Sequence, residues 1–312
     1  MVWDGVGGNR LGWGDLPGAL RRSIEVALGS TVVDAASLPG GFSTGLAARL
    51  RLADGRLVFA KAVGAAQHAH ATAFYRREAA VAGRLPAHVA APRLLWSGGG
   101  DDGAALVFEN VEGHPPPLPW RAADWRRVHD AVVALARDLT PSPVDLPSVG
   151  ADPDVFAGWR SLAADPVLAA RLDPWARDNV AALAALEARW PEAAAGDTLV
   201  HGDLRADNVL LAGERVVFVD WPFAAVGAPW FDLLGMLPSV AMQGGPDPVE
   251  VWRTSPPARG ADPAAVDSVL AALTGFFVHS ALLPAPPGLP RLREFQRLQG
   301  EPALAWLRSR VG

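Results

Sequence analysis

The segment LVHGDLRADNVLLAGERVVFVDWP, residues 199–222, decides the fold predicted for this chain. Two apolar runs in it, residues 199–200 and 216–219, each bring an acidic residue to the end of a predicted strand. A polar turn at residues 212–215 is expected to fold the two runs back on each other. The segment therefore predicts a hairpin that presents acidic side chains at its ends.

Four polar residues of this segment form a pattern that points to phosphoryl transfer. His201, Asp203 and Asn208 have the spacing H-x-D-x-x-x-x-N, and Asp220 directly follows VVFV. With 7 His, 23 Asp and 4 Asn in the chain, that spacing should arise by chance in fewer than about one such sequence in a hundred. Transfer of a γ-phosphoryl group needs a carboxylate beside the incoming hydroxyl, and an amide oxygen and a second carboxylate for Mg²⁺.

The motif HGDLRADN followed by VDWP resembles the aminoglycoside phosphotransferase family. The resemblance implies an α+β, protein-kinase-like fold with a small antiparallel-sheet N-lobe, one key helix in that lobe, and a larger, mostly helical C-lobe. It implies a nucleotide-binding lobe at residues 1–112 and a catalytic, acceptor-binding lobe at residues 113–312. The specific motifs cluster in residues 199–240, with weaker support from residues 39–78.

The resemblance also implies a role for each motif residue. Asp203 would orient the acceptor hydroxyl and take its proton, while Asn208 and Asp220 would hold Mg²⁺ against ATP or GTP. The family usually has His two residues after the catalytic Asp, where this chain has Arg205. That arginine adds a positive charge which would neutralise charge developing during transfer. We expect His201 to be structural.

Lys61 is the only lysine among the 28 basic residues of the chain. Its retention suggests a position that needs a compact ammonium rather than a guanidinium. A helix predicted at residues 71–85 carries Glu78 within its apolar stripe, where a carboxylate needs a cation. Lys61 on the preceding strand is the expected partner, in a pair that directs the ammonium to the nucleotide phosphates. Alternatively, Glu78 lies at the margin of the stripe and reaches water or Arg49.

A glycine-rich turn at residues 39–45, PGGFSTG, precedes a predicted hairpin at residues 46–63. Exposed backbone N–H groups with the hydroxyls of Ser43 and Thr44 suit a nucleotide-covering loop, and an ordinary hairpin turn is the alternative. The same residues match G-x-S-x-G, the nucleophile elbow of serine hydrolases. That elbow requires a following helix, whereas alternating strand-like sequence follows here.

The boundary between the two lobes is predicted at the composition change after Phe108. By resemblance, the backbone of Glu109 and Val111 would bind the adenine edge, with a plain linker as the alternative. Helices are predicted at residues 15–30, 124–139, 152–164, 174–190 and 225–237, and in most of the proline-rich tail. Asp232, in the last of the five, resembles the structural aspartate that ties this helix to the catalytic loop.

Bulk properties limit the function classes. A net charge of -5 and a pI near 5.8 argue against nucleic-acid binding. The chain has no cysteine, which excludes disulfides and thiolate chemistry. We find no leader-like N-terminus and no run of about 18 apolar residues, so we expect a cytoplasmic protein, without membrane partners, that is a monomer or weak dimer.

The leading hypothesis is a small-molecule O-phosphotransferase that uses Mg²⁺ and ATP or GTP, with antibiotics among the candidate acceptors. Residues 246–312 hold seven arginines and six acidic residues, which is not the acidic surface that a polycationic aminoglycoside favours. Four tryptophans are candidates either for an acceptor pocket or for the core: Trp159, Trp175, Trp230 and Trp252. The alternative functions are a non-catalytic nucleotide-binding protein of the same fold and a metal-dependent hydrolase using His201 and Asp203.

Overall fold

A computed structural model describes residues 10–38, 45–64, 69–100 and 103–312, except for the side chains of residues 69–71. These residues form two compact units. The first unit holds the described residues up to Pro116 together with residues 207–223. The second unit holds residues 117–206 and 224–312.

The elements in chain order are α1 (Gly18–Leu28), β1 (Val32–Ser37), β2 (Leu46–Leu52), β3 (Leu57–Gly64), α2 (Ala69–Ala82), β4 (Leu94–Gly98), β5 (Gly103–Glu109), α3 (Ala122–Asp138), α4 (Gly158–Ala164), α5 (Pro166–Ala169), α6 (Pro174–Asp178), α7 (Val180–Glu187), α8 (Trp190–Ala193), β6 (Thr198–Val200), β7 (Val209–Ala212), β8 (Arg215–Phe218), β9 (Ala225–Gly227), α9 (Phe231–Met242), α10 (Pro248–Thr254), α11 (Pro263–Leu282) and α12 (Leu292–Val311). Short 3-10 helices lie at Trp13–Asp15, Pro153–Phe156, Ala206–Asn208 and Pro256–Gly260.

The first unit is built on a five-stranded antiparallel sheet with the order β1-β2-β3-β5-β4. The hairpin predicted at residues 46–63 is confirmed as β2 and β3. Side chains alternate between the two faces of each strand. Ala60 and Ala62 of β3 therefore pack with the apolar side of α1, and Phe59 and Val63 pack with residues of α2.

This alternation places the lysine. Lys61 lies between Ala60 and Ala62 and so belongs to the face of the sheet that α2 covers. The helix predicted at residues 71–85 is confirmed as α2, three residues shorter at its C-terminal end. Because Glu78 is in α2, the sheet and this helix bring the two side chains to the same face.

The predicted hairpin of the deciding segment is only partly correct. Its turn forms, but the arms are β7 and β8, in the first unit. The run Leu199-Val200 belongs to β6, which pairs with β9 in the second unit. The helix predicted from Ala225 consequently begins at Phe231, because residues 225–227 are extended as the partner of β6.

The second unit is mostly helical, as predicted. Helix α11 lies at the centre of this unit and packs against α4, α7, α8 and α12. The single helix predicted at residues 174–190 is divided at Asn179, which ends α6. Of the four candidate tryptophans, Trp159, Trp230 and Trp252 are buried core residues. Trp175 is half-buried, with the guanidinium of Arg308 over its ring.

Helix α11 is long and apolar enough to cross a membrane, so the expectation that the chain has no such apolar run was wrong. More than half of its most apolar 18-residue segment is buried within the protein. The helix has few polar residues, and one of them, Ser268, donates its hydroxyl hydrogen bond to the backbone carbonyl of Ala264. The packing is that of a central helix of a helical core.

Helices α4 and α11 approach closely at two glycines. A Cβ on Gly158 would lie 1.9 Å from the carbonyl oxygen of Gly275, so we expect Gly158→Ala to separate the helices and cost about 3 kcal/mol. Gly235→Ala in α9 is the control, since nothing lies within 4 Å of a Cβ there, and it should be neutral or mildly stabilising. Chemical denaturation of both variants measures this; equal stabilities would contradict the close approach.

Candidate active site

Lys61 is held between two carboxylates of the first unit. Its Nζ donates to Glu78 at 2.7 and 2.9 Å and to Asp220 Oδ1 at 2.7 Å. Glu78 also accepts a hydrogen bond from the backbone of Trp221. The predicted pairing of Lys61 with Glu78 is thus confirmed as a contact, while Arg49 instead bonds Asn110 at 2.8 Å. We call Lys61, Glu78 and Asp220 the Lys61 cluster.

Charge compensation explains how the Lys61 cluster tolerates burial. Burial acts to lower the pKa of Lys61, but the charges of Asp220 and Glu78 outweigh it, so the pKa is raised. Burial raises the pKa of Glu78 to about 7, and the attraction of Lys61 opposes that rise. Since Lys61 donates to both oxygens of Glu78, the contacts support the ion-paired form, in which both groups are charged.

Asp220 has an unusual backbone conformation. Its φ is 70°, and among the described residues it alone, apart from glycines, has a positive φ. Aspartate tolerates this region better than most residues, but it still costs of order 1 kcal/mol. Strain of this kind is typical of functional positions. Here it turns the chain just after β8, where the Asp220 carboxylate meets Lys61.

Asn208 and Asp220 lie at the same end of the hairpin formed by β7 and β8, because the Val219 N–H bonds the Asn208 carbonyl at 3.0 Å. Their side chains offer the oxygen donors that Mg²⁺ prefers, and Asp220 is accessible, with 43% of its side chain exposed. Within the described ranges, no three His, Asp or Glu residues gather as a metal site. Mg²⁺ fits such a sparse donor set because it completes its shell with water and phosphate oxygens.

The loop that carries Asp203 belongs to the second unit, and we call residues 201–206 the Asp203 loop. Its backbone is tied to α9: Asp232 accepts from the N–H of His201 at 2.7 Å and of Gly202 at 2.8 Å. Gly202 has φ 80°, a conformation that favours glycine. The Asp203 N–H donates to Nδ1 of the buried His201 at 3.3 Å, so His201 supports the loop.

We expect Asp232→Asn to loosen the Asp203 loop, because one of the two N–H groups would then face an amide NH₂. The cost should be about 2 kcal/mol. Burial raises the pKa of Asp232 to about 6, against the two N–H donors. A raised pKa in the folded state means that the wild type loses stability as pH rises from about 4 through about 6.

The variant lacks this titration, so its thermal unfolding between about pH 4 and pH 7 should be flatter than that of the wild type. Asp262→Asn is the control, since Asp262 is an exposed N-cap of α11 where asparagine caps equally well. Parallel pH profiles of wild type and Asp232→Asn would contradict the buried carboxylate.

Asp203 itself is paired with the arginine two residues on. Arg205 Nη1 lies 2.8 Å from Asp203 Oδ1, and the side chains are 17% and 27% exposed. The guanidinium carbon of Arg205 lies 5.5 Å from the ring centroid of Phe295 in α12. The structure thus places Arg205 against the carboxylate to which a catalytic role is attributed.

The remaining predicted residues are less constrained. Ser43 and Thr44 lie outside the described residues, and the nearby Gly45 leads into a strand, not the helix that a nucleophile elbow needs. Glu109 ends β5, and its N–H donates to the Arg93 carbonyl. Val111 follows in a half-buried segment without regular structure.

Two residues near these sites carry no motif. Arg10 is half-buried: burial lowers its pKa, and charges on Tyr75, Asp220 and Asp207 oppose the shift. A lone arginine near the N-terminus offers no spacing signal, so only the tertiary structure brings it towards Asp220. In the sequence, Phe295 is likewise an ordinary apolar residue of an amphipathic helix. The one sequence feature that bears on it is Arg205, at a position where the family usually has histidine.

Comparisons with known proteins identify the family of this chain. The model of the phosphotransferase enzyme family (APH) matches residues 36–256, more than half of the chain. No curated protein matches the chain by sequence.

Solved structures share the fold at low sequence identity. A thermostable mutant of aminoglycoside phosphotransferase APH(4)-Ia, in a ternary complex with ADP and hygromycin B, is 15% identical and has a TM-score of 0.61, over 94% of this chain and 99% of that one. Amicoumacin kinase hAmiN, in complex with AMP-PNP, Ca²⁺ and Ami, is 10% identical with a TM-score of 0.53, over 91% and 93%. The five-stranded antiparallel sheet and the mostly helical second unit form the protein-kinase-like fold that the resemblance of the motif HGDLRADN implied. The extent of the family match shows that this protein belongs to the phosphotransferase enzyme family (APH).

Proposed function

We propose that this phosphotransferase moves the γ-phosphoryl group of a Mg²⁺-bound nucleoside triphosphate, ATP in preference to GTP, to a hydroxyl of a small molecule. The observation that carries the proposal is the Lys61 cluster, in which the chain's only lysine is bound by Glu78 and by the strained Asp220. An ammonium held in this way is a fixed point charge for the α- and β-phosphates. Family relatives with ADP or AMP-PNP bound support an adenine nucleotide.

On the donor side, the backbone of Glu109 and Val111 would bind the adenine edge. Since the Glu109 N–H is bonded to Arg93, its carbonyl is the group we assign to the adenine. Ser43 and Thr44 would cover the phosphates. Residues 1–112 would form the nucleotide-binding lobe and residues 113–312 the catalytic, acceptor-binding lobe. Asn208 and Asp220 would help the nucleotide-binding lobe to hold the donor.

Asn208 and Asp220 would hold Mg²⁺ through their amide and carboxylate oxygens. The bound ion supplies charge neutralisation on the triphosphate. Asp203 would orient the acceptor hydroxyl and accept its proton as the oxygen attacks phosphorus. Arg205 lies against Asp203 and so adds positive charge where negative charge accumulates.

The acceptor is proposed to be a small hydroxyl compound other than a polycation. Residues 246–312 carry seven arginines and six acidic residues, so they do not form the acidic region that a polycation favours. Amicoumacin kinase hAmiN, whose complex contains Ami, keeps antibiotics among the candidates. We propose a cytoplasmic monomer or weak dimer without nucleic-acid or membrane partners.

The experiment is a transfer screen read by mass spectrometry. The protein is incubated with Mg²⁺ and ATP or GTP, and with aminoglycosides, macrolides, peptidic antibiotics, choline, homoserine and sugars. We expect one class to gain a phosphoryl mass. A Mg²⁺-dependent thermal shift with ATP but no transfer to any acceptor would instead support the non-catalytic alternative, and phosphate release without an acceptor would support a hydrolase.

A further inference from the structure

We propose that Phe295 is a positioning residue that aims the carboxylate of Asp203 by holding Arg205 over its ring. The inference rests on the proposed catalytic role of Asp203 and adds a residue from α12 to it. Phe295 would act without touching substrate, through the guanidinium that bonds Asp203.

The contacts form a continuous path within the second unit. The Phe295 ring is 4% exposed and faces the guanidinium of Arg205 at 5.5 Å, within the range of a cation–π interaction. Arg205 in turn bonds one oxygen of Asp203 at 2.8 Å. A guanidinium that bonds a carboxylate and lies over a buried ring has few accessible rotamers. The orientation of the Asp203 carboxyl group is therefore set by a side chain that α12 itself immobilises.

Two helices that pack on each other hold different parts of the Asp203 loop. Helix α9 fixes the backbone through Asp232, which accepts from His201 and Gly202. Helix α12, which packs against α9, fixes the side chain through Phe295. Hydrogen bonds to the backbone of the loop do not act on the Asp203 side chain, so the attachment through Arg205 and Phe295 supplies an orientation that the bonds to Asp232 do not.

This arrangement depends on arginine at position 205. Histidine, which the family usually carries there, is shorter and presents a smaller donor set, and lysine lacks the planar face that stacks on a ring. A charge-neutralising role alone would require only a cation. The contact of the guanidinium with Phe295 adds a requirement for the aromatic ring, and this separates a positioning role from a purely electrostatic one.

The test compares Phe295→Leu with Phe277→Leu, which removes the same ring from another buried position of the second unit, in α11. With an acceptor from the transfer screen, we expect Phe295→Leu to lower kcat about three- to tenfold, with the KM for ATP unchanged. Phe277→Leu should keep the wild-type kcat, and Phe295→Tyr, which retains the ring, should restore it. In an Arg205→Met background, Phe295→Leu should have no further effect.

A spectroscopic measurement makes the inference testable without turnover. In arginine-labelled protein, the Hε proton of Arg205 should show an upfield ring-current shift that disappears in Phe295→Leu and persists in Phe295→Tyr. If the shift behaves in this way and no acceptor is phosphorylated, the contact stands and the proposed function fails. If the wild type transfers phosphoryl groups and Phe295→Leu retains full kcat, or the ring-current shift is missing, the positioning role is overturned.

Discussion

Asp203→Asn should reduce phosphoryl transfer by about 10²- to 10⁴-fold while leaving nucleotide binding intact. The substitution keeps the shape of the side chain but removes the carboxylate that we propose accepts the acceptor proton, and general base catalysis contributes a factor of this size. The hydrogen bond from its backbone to His201 does not involve the side chain, so the loop should keep its course. Steady-state transfer with ATP and the acceptor found by screening measures kcat.

The control for this variant is Asp178→Asn. Asp178 is a strongly exposed carboxylate of the second unit, and its loss should change neither kcat nor stability. The thermal shift with Mg²⁺ and ATP should be the same in the wild type and in Asp203→Asn, because the Lys61 cluster is untouched. Full transfer activity in Asp203→Asn would show that Asp203 is not the catalytic base.

Lys61→Met should damage both function and folding. It removes the ammonium that we propose binds the phosphates, and it leaves Glu78, 2% exposed, as a buried carboxylate without its counter-ion. Breaking a buried ion pair on one side costs about 3 to 5 kcal/mol. We therefore expect a markedly lower unfolding temperature and the loss of the ATP-dependent thermal shift. Arg51→Met, which removes an exposed cation from the adjacent strand β2, should do neither.

The pH dependence of this variant has a definite sign. Burial already raises the pKa of Glu78 to about 7 in the presence of Lys61, and removal of the lysine should raise it further. A carboxyl group whose pKa is higher in the folded than in the unfolded state stabilises the fold most below its unfolded-state pKa of 4.5. This stability is lost as pH rises through the folded-state pKa.

The unfolding temperature of Lys61→Met should therefore fall between about pH 5 and pH 8, more steeply than that of the wild type. The double variant Lys61→Met and Glu78→Gln should be flat over this range and more stable than Lys61→Met near pH 8. An equally steep profile in the double variant would mean that Glu78 does not titrate as the buried partner of Lys61.

Much of this site was predictable because its signals are local. The spacing of Asp203 and Asn208, the aspartate after VVFV and the carboxylate within an apolar helical stripe are all visible within short windows of sequence. The ion pair of Lys61 and Glu78 could also be anticipated, since only 17 residues separate the two and one strand and one helix join them. Local periodicity then sets which face each side chain occupies.

Strand pairing was less predictable. The run Leu199-Val200 is as apolar as residues 216–219, and hydrophobicity does not state which strand a short run will join. Its partner is β9, which has only three residues, one of them Gly227, and so shows almost no strand pattern. The error in the start of α9 has the same origin, because residues 225–227 are extended and pair with β6.

Residue types and spacings in the sequence were enough to indicate the family, the α+β fold class and the phosphotransferase reaction class. The tertiary structure alone decided that Arg205 meets Phe295 and that Arg10 lies near Asp220. Contacts of this kind depend on how whole helices and strands pack. Since packing is specified by many residues together and not by a repeat or a motif, no short stretch of sequence encodes them.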